Sequence, residues 1–325
     1  MHNRRKFIST SLQVGIGATA IGTVLSACEA GPPSEEATTI ATETRYQNGR
    51  SPWPICLDTA TIRTASGLAE MIDIAVEAGY DAIEPWDRDL AQYEEAGGDL
   101  KALGEEIKER GLFVPSMIGL WGCLPADEAA FQASLAATRN RMRMAAAIGC
   151  KYVQAIPNEV GADYDAAFVT DCYRRLIEIG LEDYDLCPAL VFVKQFPLSS
   201  FAQAAEIALG TDHREARIIP DVFHMYITGG GFNCLKKVRG DFFPIFQFND
   251  APREMAREEM QDKDRVYPGD GILPLPEILR DLYASGFREC ISLELYNRTY
   301  HAQDLRQVAA TGLEKTLRVI EAAGV

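Results

Sequence analysis

Short apolar runs alternate with longer amphipathic stretches from residue 54 to residue 325. The runs over 54–57, 81–86, 112–120, 150–155, 186–193, 218–221, 244–248 and 290–295 are largely apolar at odd and even positions alike. That is the pattern of strands covered on both faces. Between them, residues 66–78 place Leu68, Met71, Ile72, Ala75 and Val76 at helical spacing before Gly79, and 99–110 form a charged amphipathic segment closed by Gly111. Further helices are expected over 126–148, 163–179, 200–209, 276–285 and 304–323, with a loop containing Gly97-Gly98 after the second run. Eight strands alternating with mostly helical connections, within a length that one core can fill, predict an α/β fold of the (β/α)8 TIM-barrel class over an open doubly wound sheet. No GxGxxG follows the first run, and Gly229-Gly230-Gly231 is neither a dinucleotide fingerprint nor a P-loop, so no nucleotide cofactor is expected.

The first fifty residues lie outside this rhythm. Arg4-Arg5-Lys6 precedes an apolar, small-residue stretch from Val14 to Leu25 that is too short and Gly/Ala-rich to span a membrane comfortably. It reads as a signal peptide over 1–27, and Leu25-Ser26-Ala27-Cys28 resembles a bacterial lipobox that would lipidate Cys28. The twin arginine resembles the signal for export in the folded state, the alternative being a general basic start. Residues 28–50, rich in Ser, Thr, Glu, Pro and Gly, read as a tether, leaving 51–325 as the folded domain. The expected address is exported, periplasmic or cell-envelope, with membrane contact only through Cys28.

Charge narrows the partners. The formal net charge is −15, and removal of Arg4, Arg5 and Lys6 with the leader lowers it to −18. Such a surface repels nucleic acid and offers no polybasic membrane patch. Besides Cys28 the cysteines number seven, widely spaced and without a CxxC, so neither a disulfide scaffold nor a zinc knuckle is expected.

In a barrel all strand C-termini open on one face, where loops carry function. That rule gathers Asp58 and Arg63, Glu84 and Trp86, Trp121, Gln154 and Asn158, Lys194 and Gln195, Asp221 and His224, Gln247 and Asp250, and Glu294 and Asn297 into one polar rim. Asp221, Gln247 and Glu294 come from three successive strands, and two carboxylates with an amide oxygen are hard ligands suited to Mg²⁺ or Mn²⁺; His224 nearby would admit Mn²⁺, Co²⁺ or Zn²⁺. An ion there would hold two oxygens of a polyol or keto-sugar and polarise a carbonyl. Gln247 reads equally as an amide in a core network, and Glu294 as half of a buried salt bridge to Arg63 or Lys194. Glu84 is placed to act as a base or to orient a hydroxyl. Trp86 and Trp121 wall a sugar pocket or pack the barrel mouth. Arg265 contacts substrate or holds the charged 250–275 loop, itself either a lid or an ion-paired surface segment.

The same residues carry a family resemblance. Cys56-Leu57-Asp58-Thr59-Ala60-Thr61-Ile62-Arg63, Tyr80-Asp81-Ala82-Ile83-Glu84-Pro85-Trp86, Asp221-Val222-Phe223-His224, Asp264-Arg265-Val266-Tyr267-Pro268-Gly269-Asp270-Gly271 and Leu293-Glu294-Leu295 make the chain from Ile55 to Val325 resemble the sugar phosphate isomerase/epimerase-like branch of the xylose isomerase-like TIM barrels. The resemblance implies ketose epimerases, aldose–ketose isomerases, inosose and dehydroshikimate dehydratases, or lyases of oxidised sugars. It implies a metal held by Glu, Asp, His and Glu on strands five to eight. Asp221 and Glu294 match, Gln247 stands at the seventh-strand position, and Val191, which cannot bind metal, stands at the fifth. Symmetric two-base epimerisation is thereby disfavoured; one-base isomerisation or β-elimination remains, with Glu294, Glu84 or Lys194 as the acid–base. Lys194 is a candidate to replace the metal's charge, and His224 matches a position that contacts substrate. The expectation is an isomerase or carbon–oxygen lyase acting on a small sugar derivative; the alternative is a degenerate sugar-binding barrel.

Overall fold

The computed structural model describes residues 45–325, so the expected signal peptide, the lipobox and most of the tether lie outside the described residues. Parallel strands β1 (Ile55–Asp58), β2 (Ala82–Glu84), β3 (Ser116–Trp121), β4 (Tyr152–Ile156), β5 (Cys187–Leu190), β6 (Ile245–Phe248) and β7 (Cys290–Leu293) form two sheets, in the orders β2-β1-β7-β6 and β3-β4-β5. Single bridges close the ring. Ala82 pairs with Phe113 and Trp86 with Ile118 between β2 and β3; Leu190 pairs with Ile218 and Asp221 with Gln247 on the other side.

The expected strand over 218–221 is therefore present as a bridging segment and not as a regular strand. Pro220 has no N–H to give a ladder. The chain then turns at once into a short helix, α7 (Val222–Ile227), capped by Asp221, whose carboxylate accepts the His224 N–H at 2.9 Å.

Around the ring lie α1 (Leu68–Ala78), α3 (Leu100–Glu109), α4 (Glu128–Ala147), α5 (Ala166–Tyr184), α6 (Phe201–Gly210), α8 (Leu275–Ala284) and, after the single turn α9 (Arg298–His301), α10 (Leu305–Ala323). An additional helix, α2 (Asp87–Glu95), occupies the stretch expected as loop. Its sequence is mostly charged, which hid a narrow apolar face: Leu90 is fully buried. Residues at the end of the expected tether are held on this body, with Arg50 pairing with Glu314 and Glu321.

Strand alternation explains how the site arises. On β1, β2, β6 and β7, one parity packs Ile55, Leu57, Ile83, Phe246, Phe248, Ile291 and Leu293 toward the main core, while the other runs from apolar to polar toward the C-terminal end. Cys56 is followed by Asp58, Ala82 by Glu84, Ile245 by Gln247, and Cys290 by Ser292 and Glu294, all buried. The barrel interior is thus greasy at one end and lined with carboxyl and amide groups at the other.

Candidate active site

A cavity of about 300 Å³ opens at the polar end. Its walls are aromatic and aliphatic: Trp86 and Trp121 stack with ring centres 5.8 Å apart, and Ile118, Ile156, Val191, Phe192, Val193, Phe196 and Tyr296 complete them. Its polar lining consists of Gln154, Gln195, His224, Gln247, Asp262, Arg265 and Glu294.

Arg265 is the electrostatic centre. Its side chain is buried, yet Nη1 lies 2.9 Å from Asp221 Oδ2 and also binds Glu294 Oε2, while Nη2 donates to Asp262 Oδ1 at 2.9 Å. Burial opposes a charged guanidinium, but Asp221, Glu294 and Asp262 together hold its pKa well above the ordinary value. The backbone aims it: Asp250 and Val266 exchange backbone hydrogen bonds at 2.9 and 3.0 Å, and Asn297 Nδ2 donates to the Arg265 carbonyl at 3.0 Å. The Asp250 carboxylate accepts the N–H groups of Gly269, Gly271 and Leu273 and so fastens the loop that follows. Gly271 is obligatory there, since a Cβ would stand 2.1 Å from the Ala251 carbonyl oxygen.

Glu294 also accepts from the Tyr296 hydroxyl at 3.0 Å. Burial raises its pKa and Asp221 adds to the rise, against the opposing pull of Arg265. Behind it, Glu84 accepts from Gln154 Nε2 and Ser292 Oγ, each at 2.9 Å; burial and the nearby Glu294 push its pKa up to about 7. Asp58 is also wholly buried, one of its oxygens has no partner, and burial with the charges of Glu294 and Glu84 raises its pKa well above the usual carboxylate range.

His224 is neutral. Burial first and Arg265 second lower its pKa to about 4. The Lys194 backbone N–H points at Nδ1 from 3.4 Å, while Nε2 lies 3.2 Å from both Asp262 Oδ1 and Arg265 Nη2.

Of the residues expected to form the site, Trp86, Trp121, His224, Gln247, Arg265 and Glu294 line the cavity together. Asp221 and Glu84 lie immediately behind it. Arg63 stays at the rim, its guanidinium 5.3 Å from the Trp86 ring centre and 5.2 Å from that of Tyr296. Lys194 is turned elsewhere: its ammonium donates to the carbonyls of Glu258 and Met260 at 2.8 and 3.2 Å and ties down the 250–275 loop. The salt bridge open to Glu294 is made by Arg265, not by Arg63 or Lys194. Asp262 was illegible inside a segment rich in both charges, and Tyr296 carried no signal beyond its place after β7.

The donor set does not fit a divalent ion. Asp221 and Glu294 already share a guanidinium, Val191 presents only methyl groups on the β5 side, and no group of three His, Cys, Asp or Glu side chains able to hold a metal occurs among the described residues.

With this geometry the family is clear: residues 72–321 match the xylose isomerase-like TIM barrel model, and the chain belongs to that family. It is similar to the inosose isomerase of Bacillus velezensis, 24% identical over 272 residues that cover 82% of this chain and 96% of that protein. It is also similar to the 3-dehydroshikimate dehydratase of Pseudomonas aeruginosa, 26% identical over 81% of this chain but only 41% of that protein. Among solved structures, the IOLI protein with a bound zinc atom superposes with a TM-score of 0.76 at 24% identity, covering 83% of this chain and 99% of that one.

Proposed function

We propose that this chain is a sugar or keto-sugar isomerase/epimerase-like enzyme in which Glu294 moves a proton at a carbon next to a carbonyl. The observation that carries the reading is the Glu294 carboxylate on the cavity floor. It is desolvated, braced by Tyr296 and Arg265, and flanked by the amides of Gln154 and Gln247. The similarity to inosose isomerases points to a cyclic or open polyhydroxy ketone as substrate class.

The chemistry follows from the lining. The C–H face of a polyol packs on Trp86 and Trp121, and its oxygens meet the amides of Gln154 and Gln247. Glu294 takes the proton from the carbon beside the carbonyl; a carboxylate has lone pairs to spare beyond its two bonded donors. The enediolate oxygen that gains charge is stabilised by the Arg265 guanidinium in a site shielded from water. The same carboxyl group returns the proton to the former carbonyl carbon, while the hydroxyl proton on the adjacent carbon passes to the enediolate oxygen, so carbonyl and hydroxyl exchange places.

Elimination is the second reading. The β5 wall is apolar through Val191, Phe192 and Val193, so it supplies no second base for the opposite face of the substrate, whereas elimination needs one carboxyl only, which takes the proton beside the carbonyl and gives it to the β-hydroxyl as water leaves. The dehydratase similarity agrees with it.

The sequence before residue 45 supports export with lipidation at Cys28, the only membrane contact proposed; no helix among the described residues is long and apolar enough to cross a membrane.

The test is a panel of inososes, ketoses and 3-dehydroshikimate followed by NMR, with the native chain beside Glu294→Gln. Turnover of a keto-polyol that falls by about a hundredfold or more in the variant is expected. No turnover of any panel member, or full activity in Glu294→Gln, removes the reading.

A further inference from the structure

Two acidic groups, Asp221 and Glu294, converge beside the cavity where the residue pattern predicts a divalent ion, and a similar structure carries zinc. What stands between them here is Arg265. One nitrogen, Nη1, serves both carboxylates, 2.9 Å from Asp221 and in direct contact with Glu294, and Nη2 donates to Asp262 and lies 3.2 Å from His224 Nε2. The side chain is 1% exposed, and Phe223 and Tyr296 lie against the guanidinium at 5.4 and 5.0 Å from their ring centres. Its main chain is fixed by Asn297 and by the Asp250–Val266 pair.

We infer that the Arg265 guanidinium is the resident cation of this site and takes the place of a divalent ion, so that the centre binds and polarises its ligand without metal. This rests on the proposed function for what the ligand is, but not for the cation's identity.

Three features make the exchange self-consistent. Val191 leaves the β5 side without an oxygen donor, so an ion between Asp221 and Glu294 would lack a ligand from that direction. Gln247 offers a neutral amide where a stronger donor would favour metal. A divalent ion entering between Asp221 and Glu294 would have to expel a cation that holds three carboxylates and lies against two aromatic rings, against mutual repulsion. A guanidinium differs from a metal in kind: it gives directed N–H donors in a plane and accepts no lone-pair coordination. It therefore favours a ligand that presents a carbonyl or enediolate oxygen to one edge over one that chelates through two hydroxyls.

The test needs no turnover. The full chain, purified without chelator, is titrated calorimetrically with Zn²⁺, Mn²⁺ and Co²⁺, and bound metal is measured after gel filtration, alongside Asp221→Asn, Arg265→Lys, Arg265→Ala and the Arg265→Ala/Asp221→Asn double variant. The native chain and Arg265→Lys are expected to retain no ion above the Asp221→Asn background. Arg265→Ala is expected to acquire one that the double variant loses. Inosose is the ligand probe: its affinity is expected to be unchanged by EDTA in the native chain and to fall at least tenfold in Arg265→Ala. A native chain that holds a stoichiometric ion lost in Asp221→Asn overturns the inference, as does a folded Arg265→Ala chain that stays as metal-free as the native one. If Arg265→Ala does not fold, the native titration decides alone. Absence of inosose binding bears on the proposed substrate and leaves the metal result standing.

Discussion

Asp58 and Glu84 are register partners on adjacent strands, and both carboxyl groups are completely buried. With Glu294 close to both, they form a layer of acids under the cavity that faces one buried cation, Arg265. Burial and neighbouring charge raise the pKa of Asp58 and Glu84, because desolvated like charges do not ionise together, while Glu294 is paired with Arg265.

Glu84 gives that layer a pH signature. Its folded pKa is raised to about 7 from an ordinary 4.5. The stability this contributes is fully present below the ordinary value and is lost as pH rises through about 7. Native stability should therefore fall between pH 5 and pH 8, by on the order of 3 kcal/mol from this group, and Glu84→Gln should flatten the fall. Urea unfolding of both chains at the two pH values checks this; parallel losses would contradict it.

His224 acts with the opposite sign. Its folded pKa is lowered to about 4 from 6.5, so its contribution is present above the ordinary value and is lost as pH falls through about 4. His224→Gln should lose less stability on acidification across that window than the native chain, as read by thermal unfolding.

Removing Arg265 leaves Asp221, Glu294 and Asp262 without their shared partner. Arg265→Ala should destabilise the chain by about 3–5 kcal/mol, the range for breaking a buried pair from one side. Adding Glu294→Gln should recover part of that loss, and chemical denaturation of the two variants measures the coupling.

Gly271→Ala forces a Cβ to within 2.1 Å of the Ala251 carbonyl and 2.4 Å of Asp250 Oδ1. The Asp250 anchor should open, at a cost of about 1–3 kcal/mol. Hydrogen exchange should then quicken at Gly269 and Leu273, whose N–H groups that carboxylate accepts.

The barrel was legible because its strands carry apolar residues on both faces, and the rim because Glu84, Asp221 and Glu294 interrupt those apolar runs. Helix α2 was not, since Asp87–Glu95 is mostly charged and buries little beyond Leu90 and the Asp87 carboxylate that pairs with Arg141. The irregular 218–221 segment escaped notice because pattern reads polarity and not the missing N–H of Pro220. Arg265 was visible as a candidate for substrate contact, but its position between Asp221 and Glu294 depends on the path of a loop anchored at Asp250, which no spacing encodes. Lys194 looked available for the same reason: adjacency to a strand end does not say which way a long side chain turns.

The central claim is proton transfer by Glu294, and the most direct measurement is solvent exchange. Inosose is incubated in D₂O with the native chain and with Glu294→Gln, and loss of the proton beside the carbonyl is followed by NMR. The native chain should remove that proton, by transfer to the neighbouring carbon or by replacement with deuterium, well above the uncatalysed rate, and the variant should not. Equal loss with the two chains would contradict the account.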